Sequence, residues 1–289
     1  MNGEIKGVST EAPVLIAGPT ASGKSGLAME IAARDGRVVI NADALQVYGC
    51  WRVLTARPSV ADEALVPHAL YGHVGHDQPY SVGHWLRETC ALLDRPVVIV
   101  GGTGLYFRAL TEGLAEVPPV PAAVRAAGNA LRAGDFGAMV AALDPPTAAR
   151  IDLANGARVQ RAWEVLQATG RGLADWQAAT PAPALPLVQA EALVLRPDVD
   201  RLNARIDARF DAMMRRGALD EVGAALSSWN PDLASSRAIG AASLVAHLRG
   251  DILREDAVAS AKQASRAYAK RQRTWLRARM RDWREFSIG

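Results

Sequence analysis

The residues best suited to chemistry stand at the end of a short apolar run. Val14-Leu15-Ile16-Ala17 leads into Gly18-Pro19-Thr20-Ala21-Ser22-Gly23-Lys24-Ser25, the spacing G-x-x-x-x-G-K-S. Glycines at 18 and 23 let the backbone turn tightly and aim its N–H groups at one point, and the start of a following helix adds more donors. That is a cradle for phosphate. Lys24 supplies a point charge to phosphate oxygens, and Ser25 is the hydroxyl that reaches Mg²⁺ directly or through water. Read from this loop alone, the phosphates are those of ATP or those of a pyrophosphate that leaves in another reaction.

Two further segments end in reactive side chains. "VVINADALQVY" carries Asp43 just past an apolar run, and "PVVIVGGTG" carries Thr103 just past another. In a parallel sheet ligands sit beyond the carboxyl ends of the strands, so Asp43, Thr103 and the phosphate loop are expected to meet in one crevice. A carboxylate there can serve as a general base; it can equally cap a helix. Thr103 offers a hydroxyl to the reacting atoms or to a turn. The second run ends in Gly101-Gly102 where an ATPase normally places a Mg²⁺-binding acid, which argues against hydrolysis-driven machinery but leaves a small kinase open.

These side chains need an alternating framework. Val14–Ala17, Val38–Asn41, Val97–Val100 and Ala192–Leu195 read as strands buried on both faces, since they are apolar without alternation. Helices are expected over 24–34, 82–93 and 199–216. Proline clusters at Val117-Pro-Pro-Val-Pro121 and Thr180-Pro-Ala-Pro-Ala-Leu-Pro186 mark boundaries, because proline continues neither helices nor central strands. Between them the chain is rich in Ala, Arg and Leu without a strand-like run. The expected fold is α/β: a phosphate-loop parallel sheet core flanked by helices, formed by 1–117 and 189–289, with an inserted all-helical domain at 118–188.

Composition narrows the class. Of 289 residues, 49% are hydrophobic and 22% charged, ordinary for a globular enzyme. No apolar run approaches the ~20 residues that span a bilayer. Residues 1–12, with Glu4, Lys6 and Glu11, lack the apolar segment of a signal peptide, so a cytoplasmic location is expected. Cys50 and Cys90 have no metal-like spacing. His68, His73, His76 and His84 are irregularly spaced and lack acidic or cysteine partners at ligand spacing, so no zinc site is expected. Charge is uneven. Residues 262–284 hold nine Lys or Arg against Asp282, a local +8 within a total of +3. That points to a polyanionic partner. Arg266, Lys270, Arg273, Arg277, Arg281 and Arg284 recur at three- and four-residue steps, one face of a helix with no clean apolar side. Such a stripe suits RNA phosphates and salt-sensitive binding.

In order along the chain, "GPTASGKS", "NADALQVY", "TARP", "YSVGHW", "VGGTGLYF", "RVQRAWEVLQATG", "SRAIG" and "AKRQRTWLR" resemble the bacterial tRNA dimethylallyltransferase (tRNA isopentenyltransferase) family over about residues 13–278. The resemblance implies transfer of a dimethylallyl group from dimethylallyl diphosphate to N6 of an adenine beside a tRNA anticodon, with no ATP consumed. It implies that Gly18, Pro19, Thr20, Ala21, Ser22, Gly23, Lys24 and Ser25 hold the pyrophosphate with Mg²⁺, that Asp43 is the base, and that Thr103 bonds near the reacting atoms. Arg209, in "RIDARF", is a candidate pyrophosphate contact or a surface helix arginine. The family's tRNA contacts fall on Asp43, Ala44, Leu45, Gln46, Thr103, Arg125, Arg158, Gln160, Arg161, Arg237, Lys270, Arg271, Arg273, Trp275 and Arg277. Trp275 suits either base stacking or a core. The helical insertion is then an arm that grips the anticodon stem-loop, and nothing calls for more than a monomer. Ala44 replaces the family's usual Ser, Leu54 replaces the Gly of "GTAKP", and Ala241 and Ala242 replace a Tyr and a basic residue. These departures touch tRNA choice more than the reaction.

Overall fold

Four of the six strands are short apolar runs, and the computed structural model shows why they carry no polar face. It describes Ile5 and residues 7–287; Glu4 and Lys6 lie outside the described residues. β1 (Val14–Ala17), β2 (Val38–Asn41), β3 (His68–Ala69), β4 (Val97–Gly101), β5 (Glu191–Leu195) and β6 (Arg284–Phe286) form one sheet, ordered β3-β2-β4-β1-β5-β6. Every pairing is parallel. β1 and β4 are buried along their whole length, as both faces are covered.

The helices that cover the sheet core and matter for the site are α1 (Lys24–Asp35), α2 (Val82–Cys90), α3 (Gly104–Glu112), α6 (Val199–Arg215), α7 (Ala241–Leu248) and α8 (Arg254–Arg279). The helical unit contributes α4 (Ala122–Gly134) and α5 (Gly156–Thr169). One face of the sheet buries Leu15, Ile40, Ile99, Trp85 and Phe107 in a common cluster. The other buries Ile16, Val39, Val98 and Val100 against Leu27 and Ile31 of α1. Trp85 is fully buried and donates its indole N–H to the Asn41 carbonyl (2.6 Å), so α2 is fixed to the end of β2.

The chain divides into two compact units, residues 1–111 with 185–289, and residues 112–184. The proline clusters suggest 118–188 for the second. The boundary moves because Leu185 and Leu187 pack into the sheet core and the Leu185 N–H donates to the Leu110 carbonyl (3.1 Å). At the other end a Cβ on Gly113 would lie 2.4 Å from the Pro181 carbonyl, so these residues close the helical unit on itself. That unit has its own core of Met139, Leu143, Val159 and Ala162, and no strand among its described residues. Asp135, Asp144 and Asn155 cap its helices, each accepting a backbone N–H three residues on.

The C-terminal segment differs from a single basic helix. α8 ends at Arg279, and Met280 and Trp283 turn into the sheet core. Arg281 and Arg284 therefore leave the helical face assigned to them. Arg284 lies in β6 beside β5 and pairs with Glu191 (2.7 Å). α8 also has a buried face: Ala257, Ala261, Ser265, Ala269, Gln272 and Leu276 recur at three- and four-residue steps. The face is a narrow spine of mostly small residues, which lets the helix approach α7 and α6 closely. No helix among the described residues is long and apolar enough to cross a membrane.

Candidate active site

Adjacent parallel strands bring their carboxyl ends to one edge, and β2, β4 and β1 are adjacent in the sheet. The segment after β2 carries Asp43, that after β4 carries Thr103, and that after β1 is the phosphate loop. The crevice expected from the sequence is thus built by strand order.

The loop has the backbone that an anion cradle needs. Gly23 sits at φ +94° and Ala21 at φ +61°, in the left-handed region. A Cβ on Gly18 would lie 2.7 Å from the Ser22 hydroxyl, so only glycine lets that side chain fold over the loop. The Ser22 hydroxyl is buried there without a hydrogen-bond partner in the protein. Lys24 opens α1, whose first turn contains no acid, and its Nζ reaches back to the Pro19 carbonyl (3.3 Å). Arg209 of α6 donates to the Thr20 hydroxyl, which places its guanidinium at the loop.

Asp43 is held by its neighbours. Buried Asn41 accepts from the Asp43 N–H (2.8 Å) and donates to the Asp43 and Leu70 carbonyls (2.9 and 3.0 Å). One oxygen of Asp43 accepts the Leu45 N–H (3.0 Å). It caps a turn, because no helix follows; the second oxygen is left for a ligand. The Thr103 hydroxyl accepts the Ala44 N–H (2.9 Å), which locks the Asp43 turn to the end of β4. Glycine is required before it: a Cβ on Gly101 would lie 1.9 Å from the Ala42 carbonyl.

Electrostatics show the same convergence. Burial draws the Lys24 ammonium from 10.5 down to about 8; the Asp43 carboxylate opposes this and Arg209 adds to it. Arg209 is held below its ordinary value by burial, again against Asp43. The phenols of Tyr71, Tyr106 and Tyr268 are pushed up by burial first and by Asp43 second. Asp43 thus acts on Lys24, on Arg209 and on three phenols, of which that of Tyr106 is buried. A pocket at this site is lined by the polar groups of Thr20, Asp43, Arg209 and Tyr268 and by the apolar side chains of Leu45, Ile206 and Phe210.

The other expected contacts are more dispersed. The Gln46 amide donates to the Thr55 and Ala56 carbonyls (2.8 and 2.9 Å). Arg237 ends a short turn, Ser235–Arg237, and is exposed. Lys270, Arg271 and Arg277 are exposed on α8, and one buried N–H of Arg273 has no partner in the protein. Arg266 pairs with Asp207 (2.6 Å) and Lys262 with Asp211 (2.7 Å), so part of the basic stripe is neutralised by α6. Trp275 is half-buried against Gly104, where a Cβ would lie 2.0 Å from its ring; it packs in the core rather than standing free. Within the helical unit Arg161 sits within electrostatic reach of Arg125 and of Glu164, and Arg158 is exposed. The Gln160 amide is engaged by Asn129, Glu164 and Arg132 (2.7, 2.9 and 3.1 Å), which leaves it little to offer a ligand. Among the described residues no group of three or more His, Cys, Asp or Glu is arranged to hold a metal.

Sequence reasoning passes over Gln272 and Tyr268. Gln272 accepts the Thr20 N–H (2.8 Å) and donates to the Gly102 carbonyl (3.0 Å), joining the loop to the end of β4. Tyr268 lines the pocket, and its phenol is near enough to Thr103 and Asp43 to be influenced by both. Their only signal is periodicity: both lie on the inner side of a helix whose basic residues dominate the count.

Comparison with known proteins converges on one group. A family model described as IPP transferase matches residues 46–279. The tRNA dimethylallyltransferase of Cereibacter sphaeroides is 65% identical over 286 residues, covering 97% of this chain and 98% of its own. That of Dinoroseobacter shibae is 60% identical over 285 residues, covering 97% and 96%. The solved full-length tRNA isopentenylpyrophosphate transferase of Bacillus halodurans superposes with a TM-score of 0.68 at 29% identity, covering 96% of this chain and 90% of that one.

Proposed function

The chain belongs to the IPP transferase family, and on that premise we propose that it moves a dimethylallyl group from dimethylallyl diphosphate to N6 of the adenine beside a tRNA anticodon. It is a prenyl transferase acting on tRNA. The observation that carries the mechanism is the placing of Asp43, which lines one pocket with Arg209 and stands within electrostatic reach of Lys24.

In the reaction the C1–O bond of the allylic diphosphate breaks and an N6–C1 bond forms. Pyrophosphate leaves with the bonding electrons, and the amine proton goes to Asp43. The adenine amine is a weak nucleophile because its lone pair is delocalised into the ring, so a positioned acceptor contributes about 10²–10⁴-fold. Lys24, Arg209 and the loop N–H groups stabilise charge that builds on the departing diphosphate. The unpartnered Ser22 hydroxyl is a donor in want of an acceptor, which a diphosphate oxygen supplies. Mg²⁺ fits here because it binds through few protein ligands plus substrate phosphates and water. Ser25, exposed in the first turn of α1, would hold it, and the ion would screen the leaving charge. The apolar side chains of Leu45, Ile206 and Phe210 receive the allylic tail.

Ala44, Leu45, Gln46, Arg237, Lys270, Arg271, Arg273 and Arg277 contact tRNA, together with Arg125, Arg158 and Arg161 of the helical unit. Pulling the adenine from its loop costs a few kcal/mol, least for a single-stranded loop. On this reading the enzyme acts as a monomer in the cytoplasm.

The test mixes protein, Mg²⁺, tRNA and either labelled dimethylallyl diphosphate or γ-labelled ATP. Label reaching tRNA from the allylic donor is expected. Phosphate transfer from ATP to a small acceptor would instead favour a kinase.

A pH effect follows from Lys24. The protonated form holds the anion, and its value near 8 means that protons are lost as pH rises through that point. Pyrophosphate affinity is therefore full below about pH 8 and falls above it. Calorimetric titration against Lys24→Ala, which shares the ligand's own ionisation, checks this: only the native protein should show the break.

A further inference from the structure

We propose that Gln272 is a positioning residue that couples RNA docking on the outer face of α8 to the shape of the diphosphate loop; the inference rests on the functional reading above.

The inner face of α8 touches the catalytic segments in sequence. Tyr268, Gln272 and Trp275 stand at steps of four and three, one face of a helix. Tyr268 stands near Thr103, Gln272 bonds Gly102 and Thr20, and Trp275 lies on Gly104. The fit is flush: a Cβ on Gly102 would come within 2.1 Å of the Gln272 amide nitrogen, and one on Gly104 within 2.0 Å of the Trp275 ring. The "GGTG" run is thus glycine-rich at these positions because a helix from the other end of the chain packs on its backbone. The outer face of the same helix exposes Lys270, Arg271 and Arg277.

Gln272 is the part of this contact that reaches the loop. It is 6% exposed, and its amide makes one bond as acceptor and one as donor. The assignment is fixed by its partners: a flipped amide would set N–H against N–H and oxygen against oxygen. Its acceptor holds the Thr20 backbone while Arg209 grips the Thr20 side chain, so the leading edge of the loop is set by α8 and α6 together. A displacement of α8 on RNA binding is felt at Thr20 through a single buried amide. Coupling is reciprocal, so RNA that settles α8 tightens the loop on diphosphate, and diphosphate tightens RNA by the same factor.

Inorganic pyrophosphate is titrated into the full chain with Mg²⁺, with and without a saturating anticodon stem-loop RNA. In the native protein RNA is expected to tighten pyrophosphate about tenfold, within the range typical of coupled sites. Gln272→Met keeps the volume but loses the amide; its coupling should fall to about unity while RNA alone binds within about threefold of native. A merely structural Gln272 would lower stability and leave the coupling factor unchanged, which would overturn the proposal. If Gln272→Met does not fold, amide exchange in the native protein decides: RNA should slow exchange of the Thr20 N–H, and unchanged exchange overturns the proposal. Absence of coupling in the native protein overturns it as well. Failure of allylic transfer to tRNA sinks the functional reading, whereas transfer with coupling intact in Gln272→Met sinks this inference alone.

Discussion

Asp43→Asn is expected to lower allylic transfer by about 10²–10⁴-fold, the range of a lost general base. Asn keeps a carbonyl oxygen for the Leu45 N–H and fits the same turn, so the segment between β2 and Gln46 holds its shape. The neighbouring supports are untouched: Asn41 still binds the backbone at 43, and Thr103 still accepts the Ala44 N–H. Only the capacity to take the amine proton is removed. Single-turnover transfer with saturating donor and tRNA reads the chemical step, and RNA affinity should stay within about twofold because one side chain among many contacts changes. Near-native turnover in this variant would remove Asp43 from the mechanism.

The second large effect is expected at Lys24. Lys24→Ala takes away the loop's own point charge, which opposes negative charge on the leaving diphosphate. Loss of one preorganised stabiliser costs about 10²–10³-fold in kcat. Donor binding weakens as well, because the cation meets the diphosphate in the ground state. Arg209 remains at the Thr20 hydroxyl and cannot replace it, since its position is fixed from α6. RNA affinity is expected to be unaffected, which separates this variant from one that misfolds. Unchanged donor affinity and turnover would show that the loop does not grip the diphosphate.

Much of this site is legible before any coordinates, and the reasons are local. β1, β2 and β4 are apolar runs bounded by turn residues, and the phosphate loop is a fixed spacing of glycines with a lysine. What stays hidden is set by distant partners. β3 is two residues long, too short for any period. β6 lies inside a basic run and is a strand only because Met280 and Trp283 are drawn into the core. Counting charges makes Lys262 and Arg266 part of a free stripe, yet Asp211 and Asp207, four residues apart on α6, meet them as a ladder between helices. Gln272 goes unnoticed and Trp275 stays open between stacking and core, because their partners, Thr20, Gly102 and Gly104, lie in the first half of the chain. Of the three glycines of "GGTG", two are room for α8 and one for the Ala42 carbonyl. The helical unit's edges shift for a similar reason: proline marks where regular structure stops, but packing of Leu185 decides which core the chain joins.

The central claim is that the Asp43 carboxylate stands within electrostatic reach of the Lys24 ammonium at the phosphate loop. Pyrophosphate affinity measured against pH in the native protein and in Asp43→Asn tests it most directly. Asp43 raises the Lys24 value, so removing its charge should move the break in affinity to below the native position near pH 8. A break that stays where the native protein has it would mean that the carboxylate and the ammonium do not act on one another at this site.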